Sequence, residues 1–376
     1  MQVYLDNAAT TAPFPEVVEA MIPYLGNTYG NPSSTHAVGR ESRTAIEMSR
    51  KNIAKIWGVT AKEIIFTSGG TEAINIFLQG IAHRYSHIIS SKLEHPAVYK
   101  TLKFLENKKL ATVTWLDVEK DGSISMKALE NALDSNSNSL VALMHGNNEI
   151  GNILPLEEAS ALCNHYNSSL FVDAVQTAGH YPLNLKKLAI TGLSGSAHKF
   201  NGPKGIGFLY LKDGIRLNSI YQGGEQERKL RAGTENVAAI VGMNKALELC
   251  HSRMHEDRKH IESLKKLLIK ELKEKINGIQ FNGTSDSFDK SIYTILSASF
   301  PPHPNNDMLL FNLDLAGINV SAGSACASGA IAESQVMKAI GHDPARATIR
   351  FSFSRNNTIE EIEYVIKSII EVYHNI

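Results

Sequence analysis

The chain has 376 residues, 43% hydrophobic and 20% charged, with 38 Lys+Arg against 38 Asp+Glu. A chain of this length suits one large domain with a smaller companion, and its even charge argues against nucleic acid as the main partner, since phosphate binders carry a basic excess. The start, Met1-Gln2-Val3-Tyr4-Leu5-Asp6, lacks a signal-peptide pattern and no apolar stretch nears the ~18 residues of a membrane span, so a soluble, cytoplasmic protein with no membrane partner is expected.

In chain order, Tyr4-Leu5-Asp6-Asn7-Ala8-Ala9-Thr10-Thr11 reads as a short strand running into small and turn-forming residues, and a helix follows from Pro13 to about Leu25. Gly30-Asn31-Pro32-Ser33-Ser34-Thr35-His36 is a loop dense in turn formers, polar enough to suit the lip of a site, and a helix of mixed charge leads to about Trp57. Glu63–Thr67 reads as a buried strand that breaks at Ser68-Gly69-Gly70 into a helix beginning near Thr71-Glu72. Strand, glycine turn and helix N-terminus form an anion site, because free backbone amides and the helix dipole point at one spot. Neither Gly-x-Gly-x-x-Gly nor the Walker spacing is present, which favours a phosphate over a nucleotide.

Apolar runs recur at 87–91, 112–116, 140–146, 170–172 and 207–211, most with helical stretches between them. This alternation predicts an α/β fold with a largely parallel sheet covered on both faces, where ligands bind beyond the carboxyl ends of the strands. Three such ends carry polar residues: Glu94-His95, His145-Gly146-Asn147-Asn148-Glu149, and Asp173-Ala174-Val175-Gln176. A carboxylate placed there is costly without a cation, so Asp173 needs a positive partner, or else serves as a cap or salt bridge.

Ser196-Ala197-His198-Lys199-Phe200-Asn201-Gly202-Pro203-Lys204 sets a lysine between small residues and a glycine-proline turn, a setting that suits either a Schiff-base amine or a surface turn with two solvated lysines. From Val237 a long helix bridges to a second region, and its charge run from Lys265 to Lys275 reads as a solvated face. Strands at 291–299 and 347–353 and a closing helix at 358–373 follow. Of three cysteines, Cys163 and Cys250 fall at helical spacing with apolar neighbours and read as core, whereas Cys326 lies among glycine, serine and alanine. Their number and scatter fit neither a disulfide framework nor a metal site.

Taken together, these residues closely resemble the cysteine desulfurases of the NifS/IscS type, class V relatives within the fold-type I pyridoxal-phosphate enzymes. The resemblance runs through nearly the whole chain: Tyr4 to Thr11, Gly30 to Ser34, Thr67 to Glu72, Glu94-His95, Asn147 to Gly151, Asp173 to Gln176, Ser196 to Lys199, Arg231 to Asn236, Gly323 to Cys326 and Ile349 to Ser352. It implies a large domain, 16–255, with a mainly parallel seven-stranded sheet sandwiched by helices, and a smaller α+β domain of 1–15 and 256–376 carrying the cysteine loop. Lys199, in preference to Lys204, would carry pyridoxal 5'-phosphate, Asp173 would pair with its pyridine nitrogen, Gln176 with its ring oxygen, and His95 would cover the ring face and move protons. Gly70, Thr71, Ser196 and His198 would hold the phosphate, and Thr234 would reach the phosphate of a neighbouring subunit in a homodimer. Asn148 and Arg350 would place the substrate, the arginine gripping its α-carboxylate.

The chemistry so implied removes sulfur from L-cysteine as a persulfide on Cys326, releases L-alanine, and passes the sulfur to an acceptor such as an iron-sulfur scaffold. The Gly-Ser-Ala-Cys form resembles the group with a long cysteine loop that often works without an activator. A selenocysteine lyase or another class V aminotransferase-family enzyme would share the cofactor residues without using Cys326 as nucleophile, and a non-catalytic sulfur carrier would not keep Lys199, Asp173, His95 and Arg350. Two departures stand out: Glu225 and Lys229 where relatives commonly carry glycine, and an end at Ile376 without the longer tail of housekeeping relatives, which leaves delivery to a tRNA-thiolation or DNA-modification acceptor open.

Overall fold

The computed structural model describes residues 1–304, 306–322 and 334–375. The chain opens with β1 (Val3–Tyr4), then α1 (Pro15–Leu25) and α2 (Ala37–Ile56). Alternation then sets in: β2 (Ile64–Thr67), α3 (Gly70–Ile81), β3 (His87–Ser91), α4 (Pro96–Asn107), β4 (Thr112–Leu116), α5 (Met126–Ser135), β5 (Leu140–Met144), α6 (Leu156–His165) and β6 (Ser169–Asp173). β7 (Gly192–Ser196) and β8 (Gly207–Leu211) complete a seven-stranded sheet in the order β2-β8-β7-β6-β5-β3-β4. β8 runs antiparallel to both neighbours and the other adjacent pairs are parallel. With β8 alone reversed, β2, β3, β5, β6 and β7 all end on one edge.

Period-two alternation assigns the faces of the sheet. Ile64, Phe66, Val141, Leu143 and Phe208 join one apolar cluster with α1, α2, α5, α6 and the start of α7 (Val237–Lys275). Ile65, Leu140, Ala142, Leu209 and Leu211 join another with α3 and α4. Cys163 and Cys250 are buried in the first of these, and burial pushes both thiols up to about 12, so both are inert core residues.

The sequence runs at 87–91, 112–116 and 207–211 coincide with β3, β4 and β8. β7 gives no comparable signal, because Gly192-Leu193-Ser194-Gly195-Ser196 lacks β-branched residues. Its glycines are required by packing. A Cβ on Gly192 would lie 2.3 Å from the Phe77 ring, and one on Gly195 would lie 2.2 Å from the Phe208 ring.

α7 continues into a third cluster, with Ile261, Leu264, Leu268 and Leu272 packing beside β1, β10 (Ile295–Phe300) and β12 (Ala347–Ser352). The remaining elements are β9 (Gln280–Phe281), α8 (Asn306–Leu315), β11 (Ile318–Asn319), α9 (Gln335–Ala339) and α10 (Ile359–Asn375). β9 and β12 flank β10 antiparallel, and β1 pairs parallel with β11. The reading of Lys265 as part of a solvated face is corrected here. Lys265 is fully buried, its amine donates to Ser291 Oγ at 2.9 Å and to the Ile292 carbonyl at 3.1 Å, and it sits 5.6 Å from the Phe288 ring centre. Burial pushes it down to about 7.

The Gly195 contact yields a stability test. Gly195→Ala forces a methyl into the Phe208 ring and is expected to cost ~1–3 kcal/mol in urea unfolding. Gly26→Ala, with open space around its Cβ, should stay within ~0.5 kcal/mol.

Candidate active site

The shared strand edge gathers the polar residues picked out in the sequence. β2 breaks at Ser68-Gly69 into α3, so the free amides of Gly70 and Thr71 open onto that edge. β3 leads to His95, whose Nδ1 accepts the Ala97 amide at 3.1 Å at the start of α4. β5 leads to Asn148, β6 ends on Asp173, and β7 runs into a tight turn bearing His198 and Lys199. These residues, with Gln176, Ser196 and Arg350 from β12, line a single cavity of about 300 Å³. Lys204 is exposed in the turn beyond, so Lys199 is the lysine that faces the cavity.

The Asp173 carboxylate is buried, accepting the Val175 amide at 3.0 Å and the Ser194 hydroxyl at 3.3 Å. Burial raises its pKa against the opposing pull of His95 and Lys199. Burial also lowers His95, against the opposing pull of the Asp173 carboxylate and with Lys199 adding to the fall, which favours the neutral imidazole. His198 is pushed down to about 4 by burial and by the charges of Lys199 and Lys204. Glu94, buried beside this group, is raised well above the usual range by burial, with Asp173 adding repulsion. The cavity therefore joins an anion-seeking end, made of helix amides and hydroxyls, to a cation-seeking end at Asp173, with an amine between walls that also carry a guanidinium.

The N-terminal segment closes the site from a direction that side-chain patterns do not announce. Lys199 Nζ donates to the Ala8 and Ala9 carbonyls at 2.5 and 2.7 Å, and Gln176 Nε2 donates to the Ala8 carbonyl at 3.0 Å. Glu149 also lines the cavity and accepts the Ser334 hydroxyl at 2.5 Å. Sequence reasoning missed these groups, because backbone carbonyls carry no residue signature and Glu149 sits in a motif from which only Asn148 was given a role. The Gly30–His36 loop does not line the cavity. His36 instead caps α2, accepting the Gly39 amide at 3.3 Å.

Thr234 is exposed and does not line this cavity either. It follows a segment in which Glu227, Arg228 and Lys229 all have positive φ, at 42°, 58° and 69°. Lys229 thus holds a backbone shape that glycine adopts at lower cost. A buried ion pair secures the segment: Arg50 Nη1 and Nη2 each donate to the Glu227 carboxylate at 2.7 Å, and the Phe66 amide adds a bond at 2.8 Å. Cys326 lies outside the described residues, as do Gly323, Ser324 and Ala325. Among the described residues there is no metal-ligating cluster and no helix long and apolar enough to cross a membrane.

Comparison with known proteins sets the class. Residues 3–365 match the model of the family Aminotransferase class-V. "Cysteine desulfurase IscS" of Dictyoglomus turgidum is 42% identical, with 98% of this chain and 95% of that protein covered. "Putative cysteine desulfurase IscS 1" of Bacillus subtilis is 41% identical, covering 99% and 98%. The solved structure of a "NIFS-LIKE PROTEIN" superposes with a TM-score of 0.92 at 37% identity, with both chains fully covered. The chain belongs to the class V aminotransferase family and, within it, to the cysteine desulfurases of the NifS and IscS type.

His145, at the end of β5, supplies a pH test of the fold beside this site. Its Nδ1 lies 2.9 Å from Thr177 Oγ1, and burial pushes it down to about 4. The unfolded chain takes up its proton near pH 6.5 whereas the native state refuses it until about pH 4, so stability is retained above pH 6.5 and lost as the pH falls toward 4. His145→Gln should flatten that decline in denaturant titrations by up to about 3 kcal/mol.

Proposed function

We propose that this cysteine desulfurase takes L-cysteine as substrate and pyridoxal 5'-phosphate as resident cofactor, releases L-alanine and leaves the sulfur on Cys326. The observation that carries this reading is that a lysine amine, a buried carboxylate and a buried guanidinium, those of Lys199, Asp173 and Arg350, line one cavity beside a helix N-terminus.

The cofactor fits the donor set. Gly70 and Thr71 at the start of α3, with Ser196 and His198, suit a phosphate dianion. A Cβ on Gly70 would meet Val175 Cγ2 at 2.5 Å, so only glycine leaves this wall open. Asp173, raised by burial that His95 and Lys199 oppose, suits a protonated pyridine nitrogen. Gln176 and Asn148 stand ready for the ring oxygen and neighbouring groups, His95 for the ring face, and Lys199 for the covalent attachment. When bound, pyridoxal phosphate supplies the electron sink for negative charge developing at the substrate Cα.

The protein's own residues then divide the work. Arg350 holds the α-carboxylate by a charge-assisted fork, and Asn148 beside it orients the substrate. Lys199 removes the Cα proton, and neutral His95 serves as a proton carrier within the same cavity. The Cys326 thiolate attacks the substrate sulfur, forming the S–S bond as the substrate Cβ–S bond breaks. The electron pair of that bond and one proton end on carbon as L-alanine, and the sulfur stays on Cys326 as a persulfide.

We further propose a homodimer in which Thr234 serves the partner's phosphate site, which its exposed position away from its own cavity supports. The domain division is proposed as 16–255 against 1–15 with 256–376; the cluster running from Val17 to Cys250 and the one joining Val3 and Leu5 to Ile261–Ile369 support it, although Phe14 packs with the first. A cytoplasmic location and sulfur delivery to an iron-sulfur scaffold or another carrier protein complete the proposal. The solved structure entitled "SspA in complex with cysteine", 29% identical with a TM-score of 0.81, supports cysteine as the substrate.

Cys326→Ala tests the assignment. Sulfide release from L-cysteine with a reductant should fall at least about 100-fold, because the bond-breaking nucleophile is gone, while cofactor absorbance is retained. Full activity on L-cysteine in this variant would overturn the assignment of Cys326 as the sulfur-accepting nucleophile. Lys199→Ala should abolish fixation of the cofactor to the chain by borohydride, read by mass spectrometry, and a surviving adduct would move the attachment to another lysine.

A further inference from the structure

Arg350 reaches the cavity from β12 and is 1% exposed. Its Nη1 donates to the Asn148 carbonyl at 2.7 Å and its Nη2 donates to Asp6 Oδ1 at 2.8 Å. Asp6 is not among the residues that line the cavity, so its carboxylate reaches the site through Arg350, while its main-chain carbonyl accepts the Ala9 amide at 3.0 Å within the turn. The segment that follows Asp6 is pinned on both sides. The Asn7 side chain donates to the Ser352 carbonyl at 2.8 Å and the Ala8 amide donates to Ser352 Oγ at 2.9 Å, which ties the segment to the strand bearing Arg350. Two residues further on, the Ala8 and Ala9 carbonyls hold the Lys199 amine. Tyr4 braces the turn, its hydroxyl lying 3.2 Å from the Asp6 carbonyl and 3.0 Å from that of Thr10.

We propose that Asp6 is a positioning residue that fixes the plane of the Arg350 guanidinium, and that residues 6–9 act as a spacer setting the separation between a carboxylate-binding cation and the Lys199 amine. The site thereby selects small α-amino acids over amines that lack the carboxylate. The proposal rests on the reading of Arg350 as the carboxylate holder. The physical basis is preorganisation. A guanidinium is a planar fork, and a carboxylate bound at one arm with a carbonyl at the other removes its rotational freedom on folding, before substrate arrives. Asp6 also brings negative charge near an incoming carboxylate, which opposes binding. Geometry and charge therefore predict opposite effects of its removal, and the proposal commits to geometry.

The test uses cofactor-loaded enzyme carrying Cys326→Ala, so that substrate binds without turnover, and titrates L-cysteine and cysteamine by the shift in cofactor absorbance. Asp6→Ala should weaken L-cysteine at least about tenfold and leave cysteamine within about threefold, the asymmetry expected when only a carboxylate contact is misaligned. Asp6→Asn keeps an oxygen acceptor for Nη2 and should stay within about threefold of the parent for both ligands. Should Asp6→Ala fail to fold, Asp6→Glu, which keeps the charge but displaces the contact, should show the same selective loss. In enzyme with Cys326 restored, Asp6→Ala should raise KM for L-cysteine with kcat within about threefold. Tighter or unchanged L-cysteine binding in Asp6→Ala, or equal losses for the two ligands, would overturn the proposal. Arg350→Ala should itself erase the preference for L-cysteine over cysteamine; a preference that survived would instead overturn the underlying reading of Arg350.

Discussion

The site depends on a buried carboxylate that the protein leaves short of charge compensation. Asp173 sits at the carboxyl end of β6 with two hydrogen bonds, and burial raises its pKa even with His95 and Lys199 nearby. Removing an ion from water costs several kcal/mol unless a counter-charge is close. A fold that keeps such a group in its central sheet gains that energy back when a cationic ligand docks against it. The neighbours point the same way: burial also lowers His95 and raises Glu94, so the surroundings favour neutral forms and leave the charge deficit at Asp173. The sheet topology makes this concentration possible, since six strands end on one edge and five of them, β2, β3, β5, β6 and β7, deliver turns from far-apart sequence to a single cavity.

The N-terminal residues give the cavity its second constraint. Val3 and Leu5 belong to the cluster packed around β10 and β12, whereas Phe14 and Val17 belong to the cluster on the central sheet. The segment between them therefore crosses from one core to the other, and it crosses at the site. It contributes carbonyls to Lys199 and Gln176 and a carboxylate to Arg350. Any shift of one core against the other changes the separation of those groups. Placement of an amine relative to a carboxylate is thus coupled to the packing of both halves.

Much of this was legible in the sequence because it is written in side-chain type. Apolar runs bounded by turn formers marked β3, β4 and β8 to the residue, and polar residues just past the runs marked His95, Asn148 and Asp173. What was not legible depends on partners rather than on pattern. β7 is a strand of glycine and serine because Phe77 and Phe208 occupy the space that side chains would need. Lys265 sits in a charge run yet is buried, because Ser291, Ile292 and Phe288 from a distant loop satisfy its amine. The part played by Ala8 and Ala9 is carried by main-chain oxygens, which every sequence possesses.

The loop bearing Thr234 shows how a costly backbone is kept. Three consecutive non-glycine residues at positive φ each carry a penalty of roughly 1–2 kcal/mol relative to the right-handed region. Apart from Leu230, which packs partly against the α3–α4 cluster, the loop is polar and has little apolar burial with which to offset this. The compensation lies at its root, where Glu227 is 6% exposed and takes both arms of Arg50 together with the Phe66 amide of β2. Breaking a buried pair of this kind strands a charge, at a cost of about 3–5 kcal/mol, comparable to the sum of the backbone penalties. The ion pair therefore does not simply add stability to a relaxed loop. It holds a turn that the residues of the loop would not choose, and so fixes how the chain leaves the central sheet on its way to the exposed Thr234.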